Sequence, residues 1–436
     1  MALTIANILP GAGGTFYCQN CLRDCALVKA LRKQGHDAIA VPMYLPILVD
    51  AEGLSGDVPV FFGGINVYLQ QKIPFFRKTP RWLDRVLDSG WMLKRAAKQE
   101  GSTEAAGLGP MTLSMLRGAQ GNQKKELDRL IEWLTEHEQP DIIHLSNSLL
   151  LGLAKPLRDA LNIPVVCSLQ DEESWLDTID PPYNQQCWDE MSACAEHVDA
   201  FVTVSEWYAD EMAGRMSVDR TRVHVVPLGI ELDGREPAEH SFDPPVLGYL
   251  SKMTHSLGLG TLTDAFITLK QNPKLSDLKL RATGGQHGGD RDYVASLRRK
   301  LATHGMEQDA EFLDGFALDE RREFLRSLSV LSVPAATGEA FGMFITEALA
   351  AGVPVVQPNV GGFPEVVEAT GGGIVYDAAD PDALAKNLEA LLLDPDRARA
   401  LGEHGRQVVF ERYGIDRMAT AFAVVCESMV EQECKR

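Results

Sequence analysis

Apolar runs bounded by turn residues alternate with helix-period stretches along nearly the whole chain, and this alternation constrains the fold more than any other feature. Strands that read as continuous apolar runs are buried on both faces, as parallel strands between helices are. Strand and helix in alternation make parallel βα units. In the first half LTIANIL, DAIAVPM, DIIHL, PVVCSL and AFVTVS read as strands, and CLRDCALVKALRKQG, QKKELDRLIEWLTEH and GLAKPLRDAL as amphipathic helices. After RVHVVPLGIEL comes EPAEHSFDPPV, a polar stretch with three prolines. A second series then follows in VLGYL, LKLRATGG, AEFLDGF, VLSVP, VPVVQP and GGGIVYD.

The 436 residues are too many for one ordinary core. The expected fold is therefore α/β with two doubly wound Rossmann-like domains facing an interdomain cleft. Residues 1–235 form the first domain and 246–410 the second, with the linker at 236–245 and a last helix, about 415–434, reaching back over the first. Ligands of such sheets bind at the carboxyl ends of the strands, so the cleft is the expected site.

Composition narrows the function. With 42 basic residues against 61 acidic the formal charge is -19, unlike the basic surface of a nucleic-acid binder. The opening MALTIANILPGAGG lacks the charge and apolar pattern of a signal peptide, and no 18-residue apolar run occurs, so the expected location is cytoplasmic. Eight cysteines are too sparse for a disulfide scaffold, and no structural bridge is expected. Cys18, Cys21 and Cys25 form a C-x2-C-x3-C run, but a closed zinc site needs four ligands, so they read as packed thiols and no metal site is expected. His144 ends a strand and His36 begins one, places that more often settle structural contacts than catalyse.

The most informative stretch is GEAFGMFITEALAAGVPVVQPNVGGFPEVV, residues 338 to 367. Glu339 precedes a helix beginning about Gly342, and Glu347 lies one to two turns inside it. The helix start offers free N–H groups and the positive dipole end, which suit a diphosphate, while carboxylates suit hydroxyls on either side of it. Near the N-terminus PGAGGTF joins the first strand to the first helix, and Gly13 and Gly14 let backbone approach a phosphate or sugar. The full Gly-x-Gly-x-x-Gly spacing is missing, which disfavours a dehydrogenase.

The 338–367 stretch resembles the Glu-x7-Glu motif of retaining glycosyltransferases of the group 1 (family 4) type, which have the GT-B fold. Gly13 and Gly14, GHDAIAV, DIIHL, VDAFVTVSEWYADEM and VHVVPLGIEL match that family in order and spacing, so the resemblance covers nearly the whole chain. It implies transfer of a sugar from a nucleoside diphosphate sugar to a glycan, lipid-linked or small-molecule acceptor, with no resident cofactor and no metal. Glu339 would approach the donor sugar hydroxyls and Glu347 the ribose. Phe341 and Gly342 would offer backbone to sugar or phosphate, and Gly361, Gly362 and Glu365 would lie near the donor. LSKMTHSLGL follows a strand where the family carries an Arg and a Lys that neutralise the leaving diphosphate; here Lys252 keeps one cation and Leu257 replaces the other. Lysine lacks the bidentate fork of arginine, and His255 is a candidate substitute for the lost charge. Where the family often has a His facing the donor sugar, this chain has Gln170, followed by Asp171, Glu172, Glu173 and Asp177, an acidic cluster suited either to acceptor hydroxyls or to simple solvation.

The departures at Leu257 and Gln170 keep open a catalytically inactive nucleotide-sugar binder, and other GT-B enzymes, a phosphorylase or an epimerase, form a third class. Residues 70–98 carry eight basic residues (Lys72, Arg77, Lys78, Arg81, Arg85, Lys94, Arg95, Lys98) against Asp84 and Asp88. Phe75, Phe76, Trp82 and Trp91 are interleaved with them, a mix that favours anionic lipid. A solvated helix face with inward aromatics is the plainer expectation. If the acceptor is lipid-linked, segment 72–98 docks it at the inner membrane face.

Overall fold

A computed structural model describes residues 1–11, 17, 19–44, 58–62, 64–78, 107–237, 242–286 and 288–435. It separates into two compact units: Met1–Gly14, Asn20–Pro227 and Asp416–Arg436 form one, and Thr15–Gln19 with Leu228–Ile415 form the other.

The first unit holds a six-stranded sheet of β1 (Thr4–Leu9), β2 (Asp37–Pro42), β3 (Ile142–Leu145), β4 (Val165–Ser168), β5 (Ala200–Thr203) and β6 (Val223–Val225), in the order β2-β1-β3-β4-β5-β6. Every pairing is parallel. All four residues of β3, of β4 and of β5 are buried, as strands covered on both faces by helices must be. Helix Gln19–Lys33 turns Leu27, Val28 and Leu31 inward and ends on Arg32 and Lys33, cations that suit the negative end of its dipole. Helix Glu206–Met216 starts where the Ser205 side chain accepts the Tyr208 N–H and ends at Ser217 in the left-handed region, φ 54°. The C-terminal helix Ile415–Glu433 packs into this unit: the Phe422 ring meets the His144 ring edge-on at 4.6 Å.

The second unit holds β7 (Val246–Leu250), β8 (Lys279–Thr283), β9 (Ala310–Phe312), β10 (Val330–Leu331), β11 (Val355–Pro358) and β12 (Gly373–Tyr376), in the order β12-β11-β10-β7-β8-β9. These pairings are parallel too. Strand order reverses between β7 and β10, so the crevice for a ligand lies beyond the carboxyl ends of these two strands. In the first sheet the reversal falls between β1 and β3.

The division falls at Pro227 and Leu228, ahead of the polar stretch 236–245. The reason is a short parallel bridge: Ile230 N–H donates to Tyr413 O at 2.8 Å, and Ile415 N–H returns to Ile230 O at 2.9 Å. Among the described residues no helix is long and apolar enough to cross a membrane.

Candidate functional site

Both strands at the reversal of the second sheet deliver residues singled out above. Beyond β7, Ser251 and Met253 are buried and Lys252 is half-buried, its Nζ 3.5 Å from Asp290 Oδ2. Beyond β10 the chain runs through Glu339 into helix Met343–Ala350. Gly342 stands at the N-cap with φ 81°, a conformation that a side chain would strain. The Phe341 ring is buried and lies 6.0 Å from the Tyr413 ring.

Glu339 is half-buried, and glycine sets its backbone. Gly362 N–H donates to Glu339 O at 2.8 Å. A Cβ on Gly362 would meet Ala340 O at 2.2 Å, and one on Gly361, whose φ is 60°, would meet Glu339 O at 2.7 Å. Gly361 and Gly362 therefore hold the Glu339 loop by close backbone approach. Helix Phe363–Thr370 follows directly, with Glu365 half-buried in its first turn.

Glu347 differs from expectation. A contact with a ligand ribose calls for an accessible carboxylate, but its side chain is 1% exposed. The cause is the helix itself: all eight residues of MFITEALA are buried, and a helix apolar around its circumference is covered on every side. A carboxylate carried into such a place needs partners. Oε1 accepts from Arg235 Nη2 at 2.9 Å and from Arg321 Nη2 at 3.3 Å, and Oε2 accepts from the Tyr17 hydroxyl at 2.9 Å. Burial alone would push the carboxyl up, but Arg321 and Arg235, with the hydrogen bonds from Arg235 and Tyr17, hold it below its ordinary value. Both arginines are themselves buried.

Tyr17, Gln19, Arg235 and Arg321 were not singled out in the sequence. The Arg321 guanidinium lies 5.4 Å over the Tyr17 ring, and Tyr17 N–H donates to Gly284 O at 2.8 Å. Gln19 Oε1 accepts from Met343 N–H at 2.5 Å, and its amide donates to Glu339 Oε2. No local spacing signals these partners, since Tyr17 and Glu347 are 330 positions apart and Gln19 and Glu339 are 320 apart.

In the first unit the acidic cluster is mostly engaged in the fold. Glu172 is buried; its carboxylate accepts from Ser148 N–H at 2.8 Å, Gln170 N–H at 2.6 Å and the Tyr208 hydroxyl at 2.9 Å. The Tyr208 hydroxyl also lies 2.5 Å from Glu173 Oε2, so the two carboxylates share its one proton, and Asp177 receives Arg215 at 2.7 Å. Asp171 takes a left-handed φ of 57° ahead of helix Glu172–Leu176. Gln170 is buried, its amide donating to Asp24 Oδ1 at 3.2 Å and to Ser146 O. Buried His144 lies 2.9 Å from Asn7 Oδ1 and 2.8 Å from Ser168 Oγ; burial and nearby Arg23 push its pKa well down, so it stays neutral and structural. His36 Nδ1 accepts from Leu3 N–H at 3.3 Å.

Some readings fall elsewhere. Gly13, Gly14 and Cys18 lie outside the described residues, as do residues 79–98 of the basic segment. Phe75 is 70% exposed, while Arg77 is tied to Gln70 O at 2.9 Å. Leu257 is half-buried, and the His255 ring lies 5.7 Å from the Tyr293 ring. The expectation of no bridge is corrected at one cysteine: Cys21 is disulfide-bonded, since a bridge needs only two thiols in bonding geometry and not a cysteine-rich framework. Among the described residues no three His, Cys, Asp or Glu side chains group as a metal site.

Comparison with known proteins agrees with this architecture. Residues 234–408 match the family "Glycosyl transferases group 1" and residues 110–233 match "Glycosyltransferase Family 4". A GDP-mannose-dependent alpha-(1-6)-phosphatidylinositol monomannoside mannosyltransferase of Mycobacterium tuberculosis is 31% identical over 185 residues, 41% of this chain and 46% of that protein. The alpha-maltose-1-phosphate synthase of Mycolicibacterium smegmatis is 28% identical over 312 residues, 63% of this chain and 76% of that one. The first of these matches thus spans about half the relative's length. Among solved structures, sucrose-phosphate synthase from Thermosynechococcus elongatus superposes with a TM-score of 0.69 at 17% identity, covering 98% of this chain and 99% of that one. Anabaena Alr3699/HepE, crystallised with UDP and glucose, gives 0.68 at 17% identity, covering 98% and 100%. With two parallel six-stranded sheets of this kind and these matches across both units, the chain belongs to the group 1 (family 4) glycosyltransferases of GT-B fold.

Proposed function

We propose that this protein is a retaining glycosyltransferase that moves a sugar from a nucleoside diphosphate sugar to a glycan, lipid-linked or small-molecule acceptor, without a metal or resident cofactor. The observation that carries the reading is that Lys252 follows β7 while Glu339 and the start of helix Met343–Ala350 follow β10, the two strands between which the order of the second sheet reverses. A GDP-mannose-dependent relative and a neighbour holding UDP and glucose support a donor of this class.

In this reading the helix start and Lys252 receive the diphosphate, where the dipole and the ammonium stabilise the charge that develops on departure. Glu339 accepts hydroxyls of the donor sugar. Glu347 serves the ribose, and Phe341, Gly342, Gly361, Gly362 and Glu365 shape the surrounding backbone. The bond from the anomeric carbon to phosphate oxygen breaks as the acceptor oxygen bonds to the same face. The acceptor proton passes to the departing phosphate, so no protein nucleophile is needed. The donor set at Leu257 is one cation poorer than the family pattern, which also favours a slower enzyme or an inactive nucleotide-sugar binder.

Incubation with UDP- and GDP-sugars and candidate acceptors, followed by proton NMR of the anomeric signal, tests the proposal. Retention with release of nucleoside diphosphate is expected. Inversion would overturn the mechanism, and donor binding without turnover on any acceptor would favour the inactive binder.

A further inference from the structure

The groups assigned above to the donor are already in use. Gln19 Oε1 accepts from Met343 N–H at 2.5 Å, the Gln19 amide donates to Glu339 Oε2, and the Tyr17 hydroxyl donates to Glu347 Oε2 at 2.9 Å. A glutamine side chain carries one carbonyl and one amide, and here its oxygen takes the place suited to a phosphate oxygen and its nitrogen the place suited to a sugar hydroxyl. The phenol in turn presents a hydroxyl to Glu347, as a ribose would. Tyr17 is fixed from two further sides, by its N–H to Gly284 O at 2.8 Å and by the Arg321 guanidinium 5.4 Å above its ring. The tyrosine is buried.

Resting on the donor-site reading, we infer that Tyr17 and Gln19 form a built-in competitor of the nucleotide sugar: they engage Met343 N–H, Glu339 and Glu347, and these contacts must break before a nucleoside diphosphate can bind the same groups. The affinity of a ligand for a state that is only fractionally populated is reduced by that fraction. The device therefore sets nucleotide affinity below what the uncovered groups alone would give.

Loosening the competitor should tighten nucleotide binding, whereas loss of a residue that helps to hold the nucleotide would weaken it. Isothermal titration and stopped-flow measurements with UDP and GDP on the full chain, comparing wild type with Gln19→Ala and Tyr17→Phe, separate the two. The Ala variant should bind roughly fivefold or more tightly, the scale of one net hydrogen bond, with a faster association rate and an unchanged dissociation rate. The Phe variant, which keeps the ring and loses only the hydroxyl, should move the same way by less. Equal or weaker binding by both variants, or a gain confined to slower dissociation, would overturn the inference while leaving the donor site in place. Failure of both nucleotides to bind wild type and variants alike would overturn the donor-site reading and the inference with it.

Discussion

The Glu347 carboxylate and the Tyr17 hydroxyl, 330 positions apart, are joined by a hydrogen bond of 2.9 Å in a place where Glu347 is 1% exposed. One of the two carboxylates that the sequence suggests for the donor is thus also a structural hub, and its removal should affect folding as well as binding.

Glu347→Ala strands Arg235 and Arg321 beside each other in a buried site. Breaking a buried ion pair by removing one partner costs about 3–5 kcal/mol. Denaturant unfolding should show a loss of this order for Glu347→Ala and under about 1 kcal/mol for half-buried Glu339→Ala, although both lose transferase activity. Equal stabilities would contradict the hub.

Acid should expose the same site. Burial raises the Glu347 pKa, but Arg321, Arg235 and the Tyr17 hydroxyl outweigh it, and the net shift is downward. A group with a depressed native pKa contributes stability that is full above its unfolded value and is lost as pH falls through the native one. Unfolding followed by circular dichroism should therefore show stability falling below about pH 4, with a shallower fall in Glu347→Gln. An unchanged acid slope in that variant would rule out Glu347 as a source of the loss.

Gly362→Ala tests how the Glu339 loop is seated. Its Cβ would meet Ala340 O at 2.2 Å, so the loop must move while the sheet beneath it stays. Donor KM should rise at least tenfold with a small change in Tm; wild-type KM would show that the loop tolerates the displacement.

Chelation bears on the leaving group. If helix start and Lys252 meet the departing charge, excess EDTA should leave turnover within about twofold of the untreated rate, given that such electrostatic contacts stabilise without a metal. Strict dependence on added magnesium or manganese would contradict this.

For the basic segment, co-sedimentation with anionic vesicles at low and high salt should show salt-sensitive binding by wild type, weakened when Arg77, Lys78 and Arg81 are changed to Glu. Equal, negligible binding by both proteins at low salt would leave a soluble acceptor as the better reading.

The strands were legible because parallel strands covered on both faces are continuous apolar runs: IIHL and VVCS are buried at every residue. The start of helix Met343–Ala350 could be placed because Gly342 precedes an apolar run. Burial of Glu347 could have been weighed from that run, since MFITEALA has no polar face other than Thr346 and Glu347 itself. Its partners could not, because Tyr17, Arg235 and Arg321 meet it only through tertiary packing. Glu172 misled for a related reason: a charge beside a strand end reads as exposed, yet two backbone N–H groups and Tyr208 make its burial tolerable.

The central claim is a nucleotide-sugar site built around Glu339, and thermal unfolding against a panel of UDP- and GDP-sugars tests it most directly. A donor at a hundred times its dissociation constant stabilises by about 2.7 kcal/mol, so wild type should melt several degrees higher with at least one donor, and Glu339→Ala should lose most of that shift. No shift in wild type with any donor, or an undiminished shift in Glu339→Ala, would contradict the account.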